Sequence, residues 1–203
     1  MAFEDSKVPS SVELTTRSVK ILIAGGFGVG KSTMVAAISE VTPLRTEELI
    51  TELSRPVDDL TGLDTKTTTT VALDFGRITL DNDLVLYLFG TPGQDRFWFL
   101  WDELSRGALG TVVLADPRRL QASFPSIDYF ERLGIPFVVG VNCFDGAPTY
   151  TTEEVREALD LPHSVPVLLC DARSRHSTKN VLLILVQYLL TIAGTPPIHH
   201  ADI

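Results

Sequence analysis

Hydrophobic positions along the chain gather into short, nearly continuous runs at Val19–Ala24, Val71–Ile78, Leu84–Phe89, Thr111–Ala115, Phe137–Val141 and Val165–Leu169. Runs of β-branched residues and Leu without strict alternation read as strands covered on both faces, the habit of a parallel sheet. Between them, at 31–40, 95–106, 120–132, 152–160 and 178–193, apolar residues are spaced for helices with one buried stripe. This alternation predicts an α/β fold with a six-stranded, mostly parallel sheet and helices on both faces. The turn-forming Asp81-Asn82-Asp83 joins the second and third runs and predicts one antiparallel pair at the sheet edge.

Outside these elements the chain is polar. Residues 1–17 carry Pro9 and scattered Ser and Thr without periodicity and read as a flexible lead-in. Residues 18–193 form one domain, and 194–203 a tail. The connection from Thr42 to Thr69 is long for a compact domain, and Thr46-Glu-Glu-Leu-Ile-Thr-Glu-Leu-Ser54 within it has helical spacing, so a short extra helix is expected there.

Composition narrows the class. Of 203 residues, 44% are hydrophobic and 21% charged, enough apolar content for a packed core. A net charge of −9 repels polyanions, which argues against nucleic acid as a partner. Two cysteines, Cys143 and Cys170, fit a reducing cytoplasm rather than a disulfide scaffold. The N-terminus shows no export or acylation signal, and the most apolar stretch, Val181–Leu190, falls well short of the ~20 residues that cross a bilayer. A cytoplasmic protein is expected, with any membrane association borrowed from a partner.

The strongest chemical signal follows the first strand. Gly25-Gly26-Phe27-Gly28-Val29-Gly30-Lys31-Ser32 matches G-x-x-x-x-G-K-[ST] at a strand-to-helix junction. Glycines let backbone amides wrap phosphate oxygens, and the following helix start adds a favourable dipole. Gly28, Val29, Gly30 and Thr33 complete the expected cradle, with Lys31 on the β and γ phosphates and the Ser32 hydroxyl on Mg2+.

A phosphate loop alone leaves kinases, ATPases and GTPases open. Four segments further on resemble those of Ras-like GTPases: Thr67-Thr68-Thr69-Thr70 before Val71-Ala72-Leu73-Asp74-Phe75, then Phe89-Gly90-Thr91-Pro92-Gly93-Gln94, Asn142-Cys143-Phe144-Asp145, and Cys170-Asp171-Ala172-Arg173. The chain resembles that family over residues 18–193, most closely its bacterial branch that includes the gliding-motility switch protein, and within it the conservon-type GTPases of actinomycetes. The resemblance implies a small-GTPase G domain that binds GTP and GDP with Mg2+.

It also implies roles. Thr70 would join Ser32 on Mg2+ as a switch threonine, although a threonine run is also an ordinary strand entry. Gly93 would offer its N–H to the γ-phosphate, and Gln94 would orient the attacking water. Asn142 and Asp145 match the guanine-reading element, since a carboxylate can accept both the ring N–H and the amino group of guanine, donors that adenine lacks. The Ala172 N–H would meet guanine O6, and Arg173 takes the position of a family lysine.

Three departures stand out. Gly90 occupies the place of a magnesium-holding Asp, Cys143 that of a Lys whose stem covers the base, and Phe27 that of a glycine beside the γ-phosphate. The Phe27 ring would either crowd an arginine finger or pack outward, and slow hydrolysis is expected. Both cysteines flank the base pocket, as redox-sensitive thiols or as small packing residues. The aromatics Phe97, Trp98, Phe99 and Trp101 read either as core or as a partner surface.

Two functions follow: a GTP-driven switch with slow GTPase activity, or a nucleotide-bound scaffold without useful turnover. An ATP-using kinase or ATPase is disfavoured by Asp145. The resemblance further implies a roadblock-type regulator or effector and a sensor-kinase-like complex as partners.

Overall fold

The structure is a computed structural model and describes residues 17–42, 44–49, 70–81, 84–93 and 99–194. The element order is β1 (Arg17–Gly25), α1 (Lys31–Ile38), β2 (Leu44–Leu49), β3 (Thr70–Asp81), β4 (Leu84–Gly90), α2 (Phe99–Ser105), β5 (Ala108–Ala115), a 3-10 turn (Leu120–Ser123), α3 (Phe124–Leu133), β6 (Phe137–Asn142), α4 (Thr152–Ala158), β7 (Val167–Cys170) and α5 (Arg175–Ile192). The sheet order is β2-β3-β4-β1-β5-β6-β7. β1 pairs in parallel with β4 and β5, and β6 with β5 and β7, whereas β2–β3 and β3–β4 are antiparallel.

All six expected strands are present, and a seventh, β2, is added at the edge. It lies where helical spacing predicted the start of a helix at Thr46; residues 50–54 of that segment lie outside the description. The outer edge of β3 offers a row of backbone donors and acceptors, and Leu44–Leu49 satisfies them in register from Leu44 opposite Phe75 to Leu49 opposite Thr70. Pairing of this kind overrides local spacing. The antiparallel β3–β4 pair is therefore not the edge, and the turn residues Asn82 and Asp83 lie outside the description.

Strand alternation divides the core. Ile21 and Ile23 of β1, with Val112 and Leu114 of β5, face α1 and α5 through Met34, Val35, Ile38, Leu182 and Leu185. Leu22 and Ala24, with Val113 and Ala115, face the opposite layer of Trp101, Ile127, Phe130 and Val155. All of these are buried, as period-2 placement in a doubly covered sheet requires.

The helix ends are set by local chemistry. Thr151 and Glu154 form a reciprocal capping box at α4, the Ser174 hydroxyl accepts from the Ser177 N–H at α5, and Gly134 ends α3 in the left-handed conformation. Because β1 lies between β4 and β5, the sheet has a switch in strand order at the C-terminal end of β1, where ligand crevices of open α/β sheets form.

Candidate nucleotide site

The loop Gly25–Ser32 leaves β1 at that switch point. Gly30 adopts φ +108°, and a Cβ on it would lie 2.7 Å from Asn142 Nδ2, so backbone and packing both require glycine. α1 starts immediately afterwards with no side-chain cap and no acidic residue in its first turn, which leaves its amides and positive dipole end for an anion.

Lys31 is 9% exposed, and its Nζ donates to Gly25 O and Gly26 O, each at 2.8 Å. Burial lowers its pKa to about 8, opposed by the nearby Asp74 carboxylate. Its ammonium thus lies inside the loop. Gly93 comes close as well: a Cβ there would stand 2.5 Å from Lys31 Nζ and 3.0 Å from Gly26 O. Phe27 is 67% exposed, so its ring faces outward.

An acid at this site was missed by sequence reasoning. Asp74 of β3 is 8% exposed and sits opposite Gly90 in the β3–β4 ladder. Ser32 Oγ donates to its Oδ2 at 2.5 Å, and a Cβ on Gly90 would lie 3.1 Å from that same oxygen. The carboxylate missing at Gly90 is thus supplied across the hairpin, into space that only glycine leaves open. A charged residue inside the apolar run Val71–Phe75 was the available signal, since buried charges need partners.

The Ser32 hydroxyl and Asp74 carboxylate fit Mg2+, which is usually held by one or two protein groups together with substrate phosphates. No group of three or more His, Cys, Asp or Glu able to hold a metal occurs among the described residues.

On the other side, Asn142 ends β6 as a strut. Its Nδ2 donates to Val29 O at 2.9 Å, and its Oδ1 accepts from the Ala172 N–H at 3.0 Å. The loop that starts at Asn142 is thereby joined to the loop Gly25–Ser32 and to the turn after β7. The Ala172 N–H assigned to guanine O6 is used by Asn142 in this arrangement, so contact with a base would require sharing it.

Asp145 is exposed and clasped by Arg173, with Nη1 to Oδ2 at 2.6 Å and Nη2 to Oδ1 at 3.1 Å. The Arg173 guanidinium holds the Asp145 carboxyl below the usual carboxylate range. Arg173 also binds Asp171. Cys170 is buried and its thiol is pushed up to about 12, mainly by desolvation, which makes it a packing residue rather than a redox group; Cys143 is exposed.

The remaining expected residues divide. Thr70 opens β3, and Gln94 lies outside the described residues together with Phe97 and Trp98. Trp101 is buried against Tyr129 and Phe130, and its Nε1–H donates to Pro92 O at 3.1 Å. It belongs to the core, while Phe99 is exposed. Among the described residues no helix is long and apolar enough to cross a membrane.

The loop after β1, the switch in strand order and the Asn142 strut define a P-loop nucleotide-binding protein with the G-domain fold. The chain belongs to the family described as "conserved hypothetical ATP binding protein", whose model matches residues 23–192. It is similar to the uncharacterized protein MJ1339 of Methanocaldococcus jannaschii, at 28% identity over 66% of this chain and 76% of that protein. It is also similar to the Ras-related protein SEC4 of Candida albicans, at 25% identity over 80% of this chain and 73% of that protein. The cytosolic domain of the T. maritima FeoB iron transporter, solved in a GDP form, superposes with TM-score 0.62 at 16% identity, over 92% of this chain and 67% of that one.

Proposed function

We propose that this chain is a guanine-nucleotide switch that binds GTP and GDP with Mg2+ and hydrolyses GTP slowly. The observation that carries this reading is the Asn142 strut, which fixes the Asp145 loop to the phosphate loop so that one ligand can engage both. Similarity to Ras-related proteins and to a cytosolic transporter domain solved in a GDP form supports it.

In this reading residues 18–193 are the working domain. The loop amides of Gly28–Thr33 and Lys31 hold the phosphates, and Asp145 accepts the two guanine donors once it leaves Arg173. Mg2+ bound at Ser32 and Asp74, with Thr70 joining in the GTP state, would neutralise phosphate charge. The Gly93 N–H meets the γ-phosphate, and Gln94 orients the water that attacks the γ-phosphorus as the bond to GDP breaks.

Slow turnover follows from the exposed Phe27 ring beside the expected γ-phosphate position. The segment after Gly93 and the exposed Phe99 would carry the nucleotide state to protein partners. We assign these to the roadblock-type and sensor-kinase-like classes and place the protein in the cytoplasm, with recruitment to the membrane through them. Within the Ras-like GTPases we assign the chain to the conservon-type branch.

The family description names ATP, which makes adenine the competing base. Denaturing the purified protein and identifying the released nucleotide by chromatography decides between them. GDP or GTP in stoichiometric amount supports the proposal, and ADP or ATP replaces it with an adenine reading.

A further inference from the structure

We infer that Asp116, Arg118 and Arg119 form a clasp that holds the base-reading loop against the phosphate loop and slows release of a bound purine nucleotide. The inference rests on the nucleotide-binding reading above, but not on which purine is bound.

Sheet order places the clasp. β5 lies between β1 and β6, with Leu114 opposite Gly25 on one side and Ala115 opposite Val141 on the other. The residues leaving β5 therefore emerge between the phosphate loop and the loop Asn142–Asp145. Asp116, the first of them, is 2% exposed. A buried carboxylate is retained only with strong partners, and its partners are the two arginines that follow.

Arg118 binds Asp116 side by side, Nε to Oδ1 at 2.9 Å and Nη2 to Oδ2 at 2.8 Å, and its backbone N–H adds a third bond to Oδ1 at 3.0 Å. Held flat in this way, its guanidinium lies 3.7 Å from the centroid of the Phe144 ring, within the base-reading loop. Arg119 turns the opposite way. Its Nη2 donates to Phe27 O of the phosphate loop at 3.2 Å and stands 3.4 Å from Asp116 Oδ2.

One buried carboxylate thus organises two cations, each on a different nucleotide loop. The neighbouring Cys143 thiol donates back to Val141 O of β6. Arg118 and Arg119 are positioning residues here. They act by keeping the two loops at a fixed separation, which a ligand spanning both requires and a ligand touching one does not.

That difference supplies the test. Dissociation of a fluorescent GDP, or of the corresponding ADP if adenine is the base found, is measured in full-length wild type, Arg118→Ala, Arg119→Ala and Phe144→Leu, with pyrophosphate affinity measured in parallel. Phe144→Leu leaves Asp116 fully paired, so it reports on the clasp even if Arg118→Ala folds poorly. Release is expected to accelerate about tenfold in Arg118→Ala and about threefold in the other two, with pyrophosphate affinity unchanged. Release within twofold of wild type in Arg119→Ala and Phe144→Leu overturns the clasp. Equal losses for nucleotide and pyrophosphate overturn it too, since the arginines would then serve the phosphates or the fold. Wild type that binds pyrophosphate but neither nucleotide removes the functional reading itself and the clasp with it.

Discussion

Asp74 and Gly90 face each other across the β3–β4 ladder, and the carboxylate of the first fills the space that a side chain on the second would need. The acid beside the phosphate loop is therefore displaced by one strand, with its oxygen on the Ser32 hydroxyl.

Asp74→Asn is expected to weaken nucleotide binding about tenfold or more in the presence of Mg2+ and to change it little in EDTA, because a charge-assisted bond near the cation is worth roughly 1.5–3 kcal/mol. Titrations with and without Mg2+ check this. Equal losses in both conditions would assign Asp74 to the fold. Gly90→Asp, which sets a second carboxylate against the first, should lower the melting temperature.

Lys31 gives a pH signature. Its pKa is lowered to about 8 in the folded protein, against 10.5 ordinarily, so between these values the unfolded chain binds the extra proton. In the nucleotide-free protein the Lys31 contribution to stability is therefore absent below about pH 8 and grows as the pH rises, by about 2 kcal/mol up to pH 9.5. Phosphate binding requires the protonated form, so nucleotide affinity should fall above about pH 8. Unfolding of wild type and Lys31→Met across this range separates the Lys31 slope from that of other groups, and parallel slopes would refute it.

Gly30→Ala combines a strained left-handed backbone with a clash against Asn142 Nδ2. A loss of about 1–3 kcal/mol is expected from thermal or denaturant unfolding, along with loss of nucleotide binding as the strut is pushed aside.

On the proposed function, Arg173 and a guanine base would compete for the Asp145 carboxylate. Arg173→Ala should therefore speed GDP association several-fold, whereas release should change less; stopped-flow traces at low salt give both rates. Slower association in the variant would show that Arg173 assists the base instead.

Much of this was legible in the sequence because it depends on short-range pattern. Doubly covered strands such as Val19–Ala24 advertise themselves as unbroken apolar runs, and the phosphate loop is a contiguous motif whose context confirmed it. What stayed hidden depends on residues that meet only in three dimensions. The seventh strand is specified by the unpaired edge of β3 rather than by its own spacing. Asp74 gains its meaning from hairpin register, and the pairing of Arg173 with Asp145 joins two loops distant in sequence. The buried Trp101 settled an alternative that composition left open.

On the proposed function, Asp145 reads the base while the Gly25–Ser32 loop holds the phosphates. This reading is tested most directly by competition of GDP, ADP and XDP for a fluorescent nucleotide in wild type and Asp145→Asn. Wild type should prefer GDP over ADP by at least about a hundredfold, and Asp145→Asn should lose that preference and gain XDP, whose 2-carbonyl accepts from an amide where guanine donates. Equal affinity of wild type for GDP and ADP, or an unchanged preference in Asp145→Asn, would contradict the account.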